Sequence, residues 1–198
     1  MPISLKTAIQ SSYGNKKAKQ KILNEGYVKD KNLSNANQKV FYNPDSGNLL
    51  FNVAGSRTAK DFLYNDPMLA LGLLKKTDRY KDAKKTLEQA KNIYKPTNTT
   101  ITAHSLGASI GAGITSKKDK FLGFNAGYTI GQPTRSNKGM HQQYRTKGDA
   151  VSLLGANSSN IKTLEGPKIG LSDVIGKGLL GYAKKSHLDY NKVKDIYV

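Results

Sequence analysis

Apolar and polar positions follow two regimes along the chain. In "KVFYNPDSGNLLFNVAG", residues 39 to 55, the runs Val40-Phe41-Tyr42 and Leu49-Leu50-Phe51-Asn52-Val53 flank Pro44-Asp45-Ser46-Gly47. Branched and aromatic runs on either side of turn-forming residues predict a β-hairpin. In "DRYKDAKKTLEQAKNIY", residues 78 to 94, Tyr80, Ala83, Leu87, Ala90 and Tyr94 recur at steps of three and four, with lysines on the other faces. That spacing predicts an amphipathic helix, capped by Asp78 and stopped by Pro96. Further strands are expected at 100–103, 120–128 and 142–154, the last running into a loop at Gly148-Asp149. The order strand, strand, helix, strand, helix, strand, strand implies an α/β sheet with crossovers. Residues 1–39 are polar and basic, and are expected to form an arm with one short helix at 16–24. A single domain over 40–198 would follow.

Charge changes the picture more than length does. The 198 residues hold 32 Lys and Arg against 14 Asp and Glu, a net charge of +18. Such a surplus favours polyanionic surfaces, either nucleic acid or an anionic membrane surface. Tyr13, Tyr27, Tyr80, Tyr94 and Tyr144, interleaved with the lysines, would suit nucleic-acid binding. The plainer reading is a solvated lysine surface. The chain has no cysteine, which excludes disulfides, a thiol nucleophile and thiolate metal sites. No apolar run reaches the ~18 residues of a membrane span, and "MPISLKTAIQSSYGNKKAK" has no signal-peptide core. These features lead to the expectation of an intracellular or cytoplasmic protein, or a virion component.

The candidate chemistry lies in "NTTITAHSLGASIGAGI", residues 98 to 114. A β-capable run, then Ala103-His104-Ser105-Leu106-Gly107, then a train of small residues, suits a sharp strand-to-helix turn that lifts Ser105 off a sheet. An activated serine needs a base and a carboxylate to orient that base. Of the three histidines, His104 adjoins the serine and suits packing; His141 is expected in a polar loop; His187 lies in "KKSHLDY". Asp149, on a turn after a strand, is the candidate acid, with Asp173 as its rival.

Four motifs then carry a resemblance. "LLFNVAGSRTAKDF", "ITAHSLGAS", "YRTKGDAVSLL" and "SHLDY" resemble, in order, the oxyanion loop, the serine elbow, the acid turn and the C-terminal histidine of the class 3, fungal-type lipases, which have an α/β-hydrolase fold. The resemblance spans residues 40 to 190. It implies a mostly parallel sheet flanked by helices and an esterase acting on lipid esters, with phospholipase A relatives and no metal or organic cofactor. Ser105 matches the nucleophile, Asp149 the acid and His187 the base. Ser56 and the N–H of Leu106 match the oxyanion hole, and Ala103, His104 and Gly107 the elbow. Ala103 replaces the usual elbow Gly, and Ala54 stands where the family often has Arg, with Arg57 nearby. Leu171, Val174, Ile175, Leu179 and Tyr182 form a stripe that would face membrane or substrate, or else be buried as core. The alternative to an enzyme is a basic structural or nucleic-acid-binding protein on a hydrolase-like scaffold.

Overall fold

The computed structural model describes residues 2–56, 73–127, 140–147, 149, 161–166 and 187–198. Among these, seven strands form one sheet in sequence order: β1 (Val28–Asp30), β2 (Gln38–Asn43), β3 (Asn48–Val53), β4 (Asn98–His104), β5 (Lys120–Phe124), β6 (His141–Thr146) and β7 (Ile161–Leu164). The first three pair antiparallel, and from β3 onward every neighbouring pair is parallel. Four helices accompany them: α1 (Leu5–Ser12), α2 (Lys16–Asn24), α3 (Asp78–Tyr94) and α4 (Leu106–Ile114). Parallel neighbours need a crossover. Helix α3 lies in the β3–β4 connection and α4 in the β4–β5 connection.

The hairpin forms where turn chemistry puts it. Asn43 Oδ1 accepts from the N–H groups of Asp45 and Ser46 at 3.0 Å each, and Gly47 takes a left-handed φ of 67°. Alternation along the strands then sends side chains to two faces. Val40, Leu49, Phe51, Val53, Ile101, Ala103 and Phe121 pack with α3 and α4. On the opposite side, Phe41 and Leu50 pack with Ala8 and Ile22, while Leu122, Phe124 and Tyr144 meet Leu5, Ile9 and Val193. Burying each such Phe or Leu contributes about 1.5–3 kcal/mol.

Toward α1 the core also carries a polar stripe. Thr102 Oγ1 donates to Asn52 Oδ1 at 2.7 Å, and Asn52 Nδ2 donates to Ser11 Oγ at 2.8 Å. These groups are buried, so leaving any of them unpaired would cost roughly 1–3 kcal/mol. The two ends of the chain are clasped beside this stripe. Ser4 bridges Tyr197, Leu5 N–H donates to the Ile196 carbonyl at 2.6 Å, and Val198 N–H donates to the Ile3 carbonyl at 3.0 Å.

Several elements differ from expectation. Residues 1–39 hold α1 and β1 as well as the expected helix at 16–24, and α1 is packed on the sheet through Leu5, Ala8 and Ile9. The cap of α3 is Thr77, whose hydroxyl accepts from Tyr80 N–H, so Asp78 becomes the first helical residue. An acid there still faces the positive helix end favourably. His141 opens strand β6 and is buried, its Nε2 lying 3.1 Å from the Ser116 carbonyl oxygen. β5 stops at Phe124 because Asn125 takes φ 45°. The stripe Leu171, Val174, Ile175, Leu179 and Tyr182 lies outside the described residues, as does Arg57. No helix among the described residues is long and apolar enough to cross a membrane.

Candidate active site

β4 ends at His104, and the chain turns sharply into α4 at Ser105, which has φ 56° and ψ −131°. For a residue with a Cβ this backbone costs roughly 1–3 kcal/mol and persists only when its surroundings hold it. Here Ser105 N–H donates to the Phe124 carbonyl at 3.0 Å, and the Ser105 carbonyl accepts from Ala108 N–H at 2.9 Å. The side chain makes no helix-capping bond. Two close approaches explain the glycines on either side. A Cβ on Gly107 would lie 2.6 Å from the Val53 carbonyl oxygen and would also collide with that of Ala54. A Cβ on Gly55 would lie 2.5 Å from the Tyr13 hydroxyl and 2.7 Å from the Ser105 Cβ. Helix α4 therefore starts in direct contact with the end of β3, and Ser105 faces the segment 54–56.

That segment is gripped from both sides. Arg79, in the first turn of α3, donates through Nη2 to the Ala54 carbonyl and, at 3.0 Å, to the Gly55 carbonyl. Tyr13, at the end of α1, accepts from Gly55 N–H at 2.8 Å. The C=O and N–H of a trans peptide point in opposite directions, so Arg79 and Tyr13 hold opposite edges of the same Ala54–Gly55 unit. The next unit has its carbonyl on Arg79 as well, which aims Ser56 N–H the other way. Ser56 Oγ is buried with no hydrogen-bond partner among the described residues.

The other two residues named by the sequence meet directly. His187 Nδ1 lies 3.0 Å from Asp149 Oδ1, and the Asp149 side chain is fully buried. Asp149 follows β6 on a turn closed by its own N–H to the Thr146 carbonyl at 3.0 Å. Two donors fix the His187 backbone carbonyl: Asn125 Nδ2 at 2.9 Å and His104 Nε2 at 3.0 Å. Asn125 also braces the end of β6, accepting from Thr146 N–H at 2.7 Å. The ring centres of His104 and His187 lie 4.7 Å apart. Ser105, Asp149 and His187 thus gather at the carboxyl ends of β4, β5 and β6, where open α/β sheets place their binding crevices.

His104 is fully buried, and its pKa is held well below 6.5, first by burial and then by the neighbouring His187. The His187 carbonyl can only accept, so His104 carries its proton on Nε2. Its Nδ1 is then an acceptor, and the Tyr13 hydroxyl, 2.7 Å away, donates to it. Tyr190 packs edge-on against His104 with ring centres 5.1 Å apart. Burial, with Tyr13 beside it, pushes its phenol up, so it stays neutral.

The sequence named Ser105, Asp149, His187, Ser56, Leu106, Ala103, His104 and Gly107, of which the structure brings Asp149 and His187 into direct contact; it did not single out Tyr13, Arg79 and Asn125 for this site. A trace of Asn125 was available, since an Asn after a buried strand suits a left-handed position. Nothing local marks Tyr13 or Arg79.

No protein-family model matches the chain, and no curated protein matches it in sequence. Solved structures of fungal lipases resemble it. The Rhizomucor miehei lipase in its propeptide complex is 12% identical with a TM-score of 0.58, the match covering 98% of this chain and 80% of that one. The Lip2 lipase from Yarrowia lipolytica is 14% identical with a TM-score of 0.50, covering 81% and 76%. At such identities the likeness lies in the fold alone. The chain has the mixed, helix-flanked, α/β-hydrolase-like sheet of the fungal lipases.

Proposed function

We propose that the protein is a serine carboxylic-ester hydrolase acting on lipid esters. One observation carries this reading: a serine at φ 56° on a strand-to-helix turn shares one sheet edge with a buried carboxylate bonded to a histidine. In the proposed mechanism Ser105 attacks the acyl carbonyl while His187 takes its proton. Asp149 holds the imidazole in the tautomer that presents Nε2 and stabilises the imidazolium. The tetrahedral oxyanion rests on the N–H groups of Ser56 and Leu106, each such donor contributing about 3–4 kcal/mol. His187 then protonates the leaving alcohol, and water activated by the same imidazole releases the acid. The free Ser56 hydroxyl suits an additional donor to that oxyanion.

The charge of +18 favours an anionic lipid surface, each lysine near it contributing about 1 kcal/mol. Phospholipid esters are therefore the favoured substrates, in the manner of a phospholipase A. Lys16, Lys17, Lys19 and Lys21 of α2 and Lys81 and Lys85 of α3 are exposed and suit this role. The test is labelling with a fluorophosphonate probe followed by peptide mass spectrometry, on wild type and on Ser105→Ala and His187→Ala. A single adduct on Ser105 that both variants lose is the expected result. Folded wild type that takes no adduct, with or without anionic vesicles, would reject the reading.

A further inference from the structure

Resting on that reading, we infer that Tyr13 and His104 are positioning residues, a hydrogen-bonded bridge that sets the oxyanion loop and the base in register. The bridge is continuous. Gly55 N–H donates to the Tyr13 hydroxyl at 2.8 Å, that hydroxyl donates to His104 Nδ1 at 2.7 Å, and His104 Nε2–H donates to the His187 carbonyl at 3.0 Å. Its two ends are the segment proposed to hold the oxyanion and the residue proposed as base, 132 positions apart in sequence. Neither end touches the other through a described hydrogen bond except by this route.

The hydroxyl of Tyr13 has one proton, and its destination decides the state of the bridge. With that proton directed at His104 Nδ1, which accepts, His104 must keep its own on Nε2, the form that grips the His187 carbonyl. Without it, the imidazole is free to move its proton to Nδ1, and the contact with the carbonyl becomes one between two acceptors. The same hydroxyl supplies the acceptor that orients the Ala54–Gly55 peptide against Arg79. One group thus governs both a donor of the proposed oxyanion hole and the seat of the base. The His104 part of the bridge is sheltered: His104 is 1% exposed and is enclosed by Phe124, Tyr190 and His187, so water does not readily reach its contact with the His187 carbonyl, while Tyr13 is half-buried. Tyr13 owes its place to the polar turn after α1, where Gly14 takes φ 88° and Asn15 caps α2 through Ala18 N–H. A helix from outside the parallel sheet thereby takes part in the geometry of the site.

The test is Tyr13→Phe, which keeps the ring and removes the hydroxyl. On a short water-soluble ester, kcat should fall about tenfold to a hundredfold, as for other groups that orient a reacting residue, with KM nearly unchanged and the thermal midpoint lowered but the fold retained. His104→Gln keeps a donor toward His187 but breaks the link to Tyr13, and the double variant should be no slower than the slower single one. Wild-type kcat in Tyr13→Phe, or losses that multiply in the double variant, would overturn the bridge. Imidazole 15N spectra give a readout that needs no turnover, and so separate the bridge from the proposed activity. His104 should appear as the Nε2–H tautomer in wild type, and the His187 signals should move in Tyr13→Phe. If those signals stay in place, the bridge is wrong even where Ser105 is labelled; if they move in a protein that takes no label, the bridge holds and the hydrolase reading fails.

Discussion

His187 Nδ1 and Asp149 Oδ1 lie 3.0 Å apart, with the carboxylate sealed from solvent at the end of β6. A buried carboxylate on one ring nitrogen fixes which nitrogen is left for chemistry. Asp149→Asn keeps size and polarity but can donate to Nδ1 and so impose the wrong tautomer. Ester turnover should fall by about 10⁴-fold, with circular dichroism unchanged. Full activity in that variant would remove Asp149 from the mechanism.

Arg79 holds the carbonyls of Ala54 and Gly55. In Arg79→Met the two peptide units lose a charged donor and Ser56 N–H loses its aim. The rate of fluorophosphonate labelling should drop roughly tenfold to a hundredfold, and Arg79→Lys should recover only part of it, because an ammonium lacks the fixed fork of the guanidinium. Labelling at the wild-type rate in Arg79→Met would show that the loop keeps its shape without this grip.

Gly107→Ala separates helix propensity from packing. Inside a helix Ala is better than Gly by about 1 kcal/mol, so an open site would be stabilised. Here the new methyl meets the backbone oxygens of Val53 and Ala54, and overpacking of this kind costs about 1–3 kcal/mol. Urea unfolding should show net destabilisation. A more stable variant would mean that α4 can slide away from β3 without loss.

Lys91 Nζ lies 2.7 Å from both oxygens of Asp119, and Asp119 Oδ2 also accepts from Ser116 N–H at 2.8 Å. The lysine side chain is 29% exposed and the aspartate 6%, so solvent screens the pair in part. Asp119→Ala should cost about 2 kcal/mol of unfolding free energy, below the 3–5 of a fully buried pair. Labelling of Ser105 should be unaffected, since this contact ties α3 to the start of β5, away from the serine turn. A loss of labelling at full stability would link the pair to the site.

His104 gives the fold a defined response to acid. Its folded pKa lies well below the 6.5 of the free side chain. Below about pH 6.5 the unfolded chain therefore binds a proton that the folded chain refuses, and stability falls as pH falls. Tyr13, Tyr190 and His187 face the ring, and the Tyr190 phenol, pushed up by burial, stays neutral over this range. Urea unfolding between pH 7 and pH 5 should lose less stability in His104→Gln than in wild type. Parallel losses would show that His104 takes up its proton without unfolding.

Local patterns carried the sequence reading as far as local patterns go. The hairpin of β2 and β3 and the helix α3 were legible because turn residues and three-four spacing act within a few positions. The serine turn was legible for the same reason, and so was the pairing of Asp149 with His187, through ordered motifs. The helix α1 was also within reach: Leu5, Ala8, Ile9 and Ser12 form one stripe, but the basic composition around it pointed to an arm. The polar positions Asn52, Thr102 and His104 find their partners on α1 and on each other. Those partners, Ser11 and Tyr13, could not be named from sequence, since only the packed sheet brings α1 over β3 and β4. Arg79 is hidden likewise, one basic residue among several on a helix most of whose lysines face solvent.

The pairing of segment 3–5 with segment 196–198, Ser4 against Tyr197 and Leu5 against Ile196, bears on the order of events during synthesis. Ser105 leaves the ribosome long before His187, and α1 gains its C-terminal support only when residues 196–198 are free to join it. A growing polypeptide would thus present Ser105 before the Asp149–His187 pair could form, and would form that pair only shortly before segments 3–5 and 196–198 join.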